Sequence, residues 1–81
     1  MIIEAVRIQI LKSSKDTYWY AGYIGNQYWA IKTTKEFEII HEGITNFKPT
    51  GYVDFDDAFI LQESRIKVEK IKSTIITKLE N

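Results

Sequence analysis

From Val6 onward the apolar residues fall on every second position, Val6, Ile8 and Ile10, with Arg7 and Gln9 between them. A period of two places one set of side chains on a single face of an extended chain. The β-branched residues between Ile2 and Leu11 strengthen the assignment to a half-buried strand. A strand leaves backbone donors and acceptors open on both edges, so this segment commits the chain to a sheet whose other strands lie downstream.

Those strands can be read in order. Lys12-Ser13-Ser14-Lys15-Asp16 is a polar loop, and Gly22, Gly25 and Asn26 punctuate the stretch beyond the aromatic run Tyr18-Trp19-Tyr20. Gly25-Asn26 suits a tight turn because both residue types tolerate positive φ. A second strand is expected at about 27–32, a hairpin tip at Thr33-Thr34-Lys35, and a return strand at 36–41, where Phe37, Ile39 and His41 alternate with Glu38, Ile40 and Glu42. Gly43 to Thr50 reads as a longer loop holding the only proline, Pro49. Gly51-Tyr52-Val53-Asp54 reads as a short strand, 55–58 as a single turn capped by acidic side chains, and 59–62 as a fifth short strand. The chain is therefore expected to be mostly β. Five short strands with a tight turn before the last is the order of a small five-stranded SH3-like barrel, with an OB-like barrel as the competing topology.

The tail from Ser64 supports two readings. Val68, Ile71, Ile75 and Leu79 fall at helical spacings, Ser64 is available as an N-cap and Lys78 suits a helix C-terminus. Against these stand Lys72 within the stripe and the strand-forming run Ser73-Thr74-Ile75-Ile76-Thr77. The expectation is a C-terminal helix over about 64–80 beside a barrel at 2–62, with the tail as an extra strand as the alternative. No repeat, linker or low-complexity tract divides the chain, so 1–81 reads as one domain.

At 81 residues without cysteine, such a domain must be held by its core alone, because disulfides and thiolate metal sites are excluded. The eleven aromatic residues supply the material, each offering roughly 150–250 Å² for burial. The N-terminal segment lacks the pattern of a secretory signal, and no run approaches the roughly 18 apolar residues of a membrane-spanning helix. A cytoplasmic protein is expected.

The strand 6–11, Lys12-Ser13-Ser14, Tyr18-Trp19-Tyr20, Ile24-Gly25 and Gly51-Tyr52-Val53-Asp54 with Asp57 together resemble small SH3-like proteins of phages and prophages of Gram-positive bacteria. The resemblance covers roughly residues 6–62 and leaves out the tail. It implies a fold and a mobile-element origin, and it carries over no catalytic residue because no activity is assigned to that group.

Charge is balanced in total and segregated along the chain. Residues 1–35 hold five basic against two acidic groups, 36–63 one against seven, and 64–81 five against two. Mutual neutralisation within the fold is the expected use of this pattern, ahead of a partner surface, and the neutral total argues against a strong nucleic-acid field.

Catalytic and cofactor chemistry finds no set of residues. His41 stands alone as a histidine, whereas a metal site or a nucleophilic triad needs several converging groups. Asp54, Asp56 and Asp57 lack the glycine and distal glutamate of a cation loop and read as turn caps. Glu36, Glu38 and Glu42 read as outward-facing, Ser13 and Ser14 as solvated. The four scattered glycines match no phosphate-binding loop. No enzyme, metal or cofactor is expected.

What remains is aromatic. If 18–20 is extended, Tyr18 and Tyr20 share one side and Trp19 takes the other. Tyr and Trp give large contact area at low entropic cost. Tyr18, Tyr20, Tyr23 and Trp29 are therefore the candidate partner-binding residues of a non-catalytic interaction module. The expected partner is a protein, a host protein if the chain is phage-encoded. Two alternatives are a weak single-stranded nucleic-acid binder using Lys12, Lys15, Lys32 and Lys35, and a homodimer or larger structural oligomer formed through the Val68–Leu79 face. A membrane role is not expected, because the basic tail lacks aromatic anchors.

Overall fold

The computed structural model describes residues 1–43, 46–72 and 74–79. Among them are six strands: β1 (Ile2–Ile10), β2 (Gln27–Lys32), β3 (Glu36–Glu42), β4 (Asn46–Asp54), β5 (Ala58–Lys72) and β6 (Ile75–Lys78). Two 3-10 turns accompany them, Trp19–Gly22 and Phe55–Asp57. The strands close an antiparallel barrel in the order β1-β2-β3-β4-β6-β5. Among the described residues, no helix is long and apolar enough to cross a membrane.

The mostly β barrel stands, and two expectations about it are corrected. Five short strands become six, two of them nine residues long and one fifteen. Part of the loop expected at 43–50 belongs to β4, which starts at Asn46 and pairs through Phe47 with Glu42; Ile44 and Thr45 lie outside the described residues.

The C-terminal helix is absent: the tail continues β5 and returns as β6, the extra-strand alternative. Val68 and Ile76 are fully buried while Ile71 and Ile75 are exposed, so burial follows the strand pairing and the helical spacing is coincidental. The Val68–Leu79 segment named for oligomerisation is thus strand in place of helix, with Val68 and Ile76 turned into the core. The side chain of Ser64, the expected N-cap, lies outside the described residues.

β5 is one strand with two halves. Val6 pairs with Arg65 and Arg7 with Leu61, so residues 62–64 have no partner on β1 and form an extended bulge. The first half, 58–61, pairs with the end of β1, and the second, from Arg65, with its beginning. A smaller bulge sets Thr50 of β4 between the partners of Ile39 and Ile40.

Two cores result, on opposite faces of the β1–β3 wall. The first contains Val6, Ile8, Ile10, Tyr20, Ala30, Phe37, Ile39, Val53 and Ala58. The second contains Ala5, Ile31, Ile40, Phe47, Val68 and Ile76, with Trp29 and Ile66 packed against it. Since successive side chains on a strand face opposite ways, the adjacent buried pairs Ala5-Val6, Ala30-Ile31 and Ile39-Ile40 mark where both faces of the wall are covered. β6 and the second half of β5 provide that second cover.

Ion pairs fasten the cover. Lys70 Nζ lies 3.1 Å from Glu38, Lys78 Nζ 2.8 Å from Glu42 and Arg65 2.8 Å from Glu4. Two of these three join the basic tail to the acidic middle of the sequence, the neutralisation the charge pattern led one to expect. Glu38, expected outward, is only 7% exposed, because its face of β3 is the one the hairpin covers.

Candidate functional site

The aromatic run lies in the loop between β1 and β2. Its base is closed by Gly25 N–H to Ile10 O (2.8 Å) and Ile10 N–H to Asn26 O (2.9 Å). Gly25 takes φ +90°, the left-handed conformation that glycine enters without steric cost. Within the loop, Ala21 N–H bonds Tyr18 O and Tyr23 N–H bonds Tyr20 O. These bonds coil Trp19–Gly22 into a 3-10 turn, so the alternation expected of an extended run does not apply.

Tyr20 points inward and is 2% exposed. This corrects its assignment to a partner surface. Its hydroxyl donates to Asp57 Oδ2 at 2.5 Å, and Ser14 bonds the same carboxylate through its hydroxyl (2.5 Å) and its N–H (3.0 Å). Leu11 and Lys12 N–H groups bond the Asp57 carbonyl. The completely buried Asp57 thus anchors the loop to the second 3-10 turn. It is not a turn cap, and Asp54, at the N-cap position, makes no side-chain cap bond. Ser14, exposed as expected, is one of its donors.

Burial alone would raise the Asp57 pKa, but hydrogen bonds from Ser14 and Tyr20 outweigh it and hold the carboxyl below its ordinary value. The Tyr20 phenol is pushed up, first by desolvation and then by its bond to Asp57. The proton therefore stays on the tyrosine. A buried carboxylate with three donors is a structural tie, and nothing in its geometry presents it to a substrate.

Around this anchor the aromatics separate. Trp19 is 42% and Tyr23 50% exposed, with ring centroids 6.2 Å apart. Trp19 also meets Tyr28 edge-on at 5.6 Å and Tyr20 at 5.4 Å. Its indole N–H donates to Tyr52 O at 2.8 Å, and its ring lies against Gly51, where an added Cβ would sit 3.1 Å from Nε1. Tyr18 is half-buried against the first core, 5.4 Å from Tyr20. Desolvation and then a hydrogen bond to Asp54 raise its pKa.

Of the four candidate residues, Tyr18 and Tyr23 flank the exposed cluster and Tyr20 supports it from below. Trp29 stands elsewhere, packed against the second core with the Arg7 guanidinium 5.4 Å from its ring. Trp19, left out of the candidate set, is the centre of the cluster. The Gly51 it leans on was the available signal, since a glycine inside a strand often marks a close approach by another group.

The lysines named for nucleic acid border this loop and its neighbour: Lys15 Nζ lies 5.7 Å from the Tyr18 ring and Lys32 Nζ 5.5 Å from that of Phe55. Comparison of the chain with family models, with curated proteins and with solved structures finds no match.

Proposed function

We propose that this chain is a small non-catalytic interaction module that binds a protein through the rim formed by Tyr18, Trp19, Tyr23 and Tyr28. The carrying observation is that Trp19 and Tyr23 are about half exposed yet held in place. An indole hydrogen bond and a buried tyrosine beneath them set their positions before any partner arrives. Pre-positioned aromatic side chains lose little entropy on binding, which is why such residues dominate interface energetics.

The non-catalytic reading is supported by the carboxylates. Asp57 is consumed by the loop anchor, and Glu38 and Glu42 are consumed by lysines. The SH3-like reading of the barrel is supported by the β1–β4 meander and by the 3-10 turn that leads into β5. With the resemblance to phage and prophage proteins, it makes a bacterial host protein, met in the host cytoplasm, the proposed partner.

The test is affinity capture from a Gram-positive lysate with the wild-type chain, Trp19→Ala and Tyr23→Ala. A specific partner retained by wild type and lost by both variants is expected. An unchanged set of captured proteins would overturn the named surface.

The lysines stacked near Tyr18 and Phe55 favour one second reading, a weak single-strand nucleic-acid binder. Fluorescence anisotropy separates it from the first, because such binding falls steeply as salt rises. No binding to any oligonucleotide at low salt removes it.

A further inference from the structure

The rim does not account for a cavity of about 160 Å³ on the outer side of the β1–β3 wall, lined by Arg7, Gln27, Tyr28, Trp29, Ile40, His41 and Glu42. Strand pairing builds it. Arg7 is opposite Trp29, and Trp29 is opposite Ile40, so these three form one row across the sheet. Ile40 closes the floor, the Trp29 ring gives a wall, and the polar groups stand around the opening, while the Tyr28 ring, next along the strand, belongs to the opposite face.

Arg7 is the unusual member. It is half-buried, it lies over the Trp29 ring, and among the residues whose side chains are described, a set that leaves out Glu63, no carboxylate is within ion-pair distance of it. Glu42, the acid in the cavity lining, gives Oε1 to Lys78 at 2.8 Å. That lysine, with a smaller contribution from Arg7, holds the Glu42 carboxyl below its ordinary pKa. Lys78, from outside the lining, thus occupies this anion, and Arg7 is the charged donor that the cavity itself presents. A guanidinium packed on an aromatic face keeps its N–H donors in its own plane, the geometry that receives a carboxylate through two parallel bonds.

We propose that this cavity is a binding site for a single carboxylate group, held by Arg7 and carried on a flat or apolar body that lies against Trp29. The site goes beyond the interaction reading and does not depend on it. Its volume is below the range of drug-sized pockets, which suits a small aromatic acid or one acidic side chain of a larger partner. The glutamate at the opening disfavours dianions, since a second negative charge would meet Glu42 with no further donor fork to receive it.

The chain has two tryptophans, one at each site, and their indole N–H signals report separately in NMR titrations. Sodium benzoate and the blocked peptide acetyl-Gly-Glu-Gly-amide are titrated at constant ionic strength, with sodium chloride as the blank. The expected result is a saturable shift of Trp29 and Arg7 that leaves Trp19 still. Arg7→Gln should weaken it by at least about tenfold, the loss of one charge-assisted bidentate pair. Arg7→Lys should fall between the two, Glu42→Gln should tighten binding several-fold, and Lys67→Gln should leave it unchanged.

Tighter binding of benzoate assigns the site to a free aromatic acid, and tighter binding of the peptide assigns it to an acidic side chain. Absence of a saturable shift at Trp29 with either probe overturns the proposal. So does an Arg7→Gln variant that remains folded, by its dispersed spectrum, and responds like wild type. Neither result bears on capture at Trp19 and Tyr23, so the two readings fail independently.

Discussion

The first core is closed by a buried carboxylate and the second by lysines at its margin. In the first, Asp57 is completely buried and answered by Tyr20 and Ser14. In the second, Lys70 and Lys78 reach Glu38 and Glu42 from partly exposed positions. Hydrogen bonds in a dry interior are strong and costly to break, whereas ion pairs near water are screened and weak. The first core, drawn from residues 6–58, is thus built to stay shut. The second depends on a hairpin held by side chains that water can reach.

The sharpest way to break this contrast is to open each core in turn. Ile8→Ala should cost about 2–5 kcal/mol and lower the single unfolding transition of the whole chain. Ile76→Ala, equally buried, should act first on the hairpin, read as faster amide exchange in β6 and 65–72 with the β1–β3 amides still protected. If Ile76→Ala instead unfolds every strand together, the two cores are one cooperative unit and the contrast fails.

Next in size is the anchor. Asp57→Ala leaves Tyr20 without its acceptor and should cost about 1–3 kcal/mol, with the loop at 11–26 losing order before the barrel does. The pH dependence follows from the directions. Asp57 is depressed in the fold, so its contribution is present above the ordinary carboxylate range and is lost as pH falls through its folded value. Tyr20 is raised, so its contribution is complete below the ordinary tyrosine value near 10 and shrinks as the medium becomes more alkaline. Thermal melts should show a plateau between these limits, with Asp57→Asn flattening the acid edge.

Glu38→Gln is expected to cost about 1–3 kcal/mol, between values for buried and exposed pairs, since Lys70 loses its partner in a half-covered place. Salt should narrow the gap between variant and wild type. Smallest is Glu4→Gln, which removes an exposed pair with Arg65 and should change stability by less than about 1 kcal/mol. A larger effect there than at Glu38 would invert the proposed order of the fastenings.

Much of the first core was legible in the sequence. Strand alternation at Val6, Ile8 and Ile10, the turn at Gly25 and the hairpin tip at Thr33-Thr34-Lys35 all depend on neighbours in the chain, and all are found in place. The second core was not read, because its cover comes from the far end of the chain. Val68 and Ile71 fall on a helical stripe, and only the packing of Val68 and Ile76 with Ile31 and Ile40, which leaves Ile71 exposed, decides for a strand. A trace was present in the paired apolar residues Ala5-Val6, Ala30-Ile31 and Ile39-Ile40, which a strand with one wet face has no reason to carry. At the candidate site, Tyr18 and Tyr23 were legible as aromatics near a turn. The inward turn of Tyr20 was not, since it is set by Asp57, a residue distant in sequence that looked like a cap.

The pairing of Ile2 with Glu69 and of Ile10 with Ala58 has a consequence for the order in which the molecule can be completed. On the ribosome β1 emerges before the other strands, yet β5, one of its two neighbours, is made only after β2, β3 and β4. Until then the face carrying Ala5, Trp29, Ile31 and Ile40 has no cover. The nascent chain can assemble its meander early, but it must carry an open apolar sheet until β5 and β6 have been made. Contacts this distant in sequence also slow closure once the chain is free. The interval before β6 docks is when a neighbouring chain could most readily take its place.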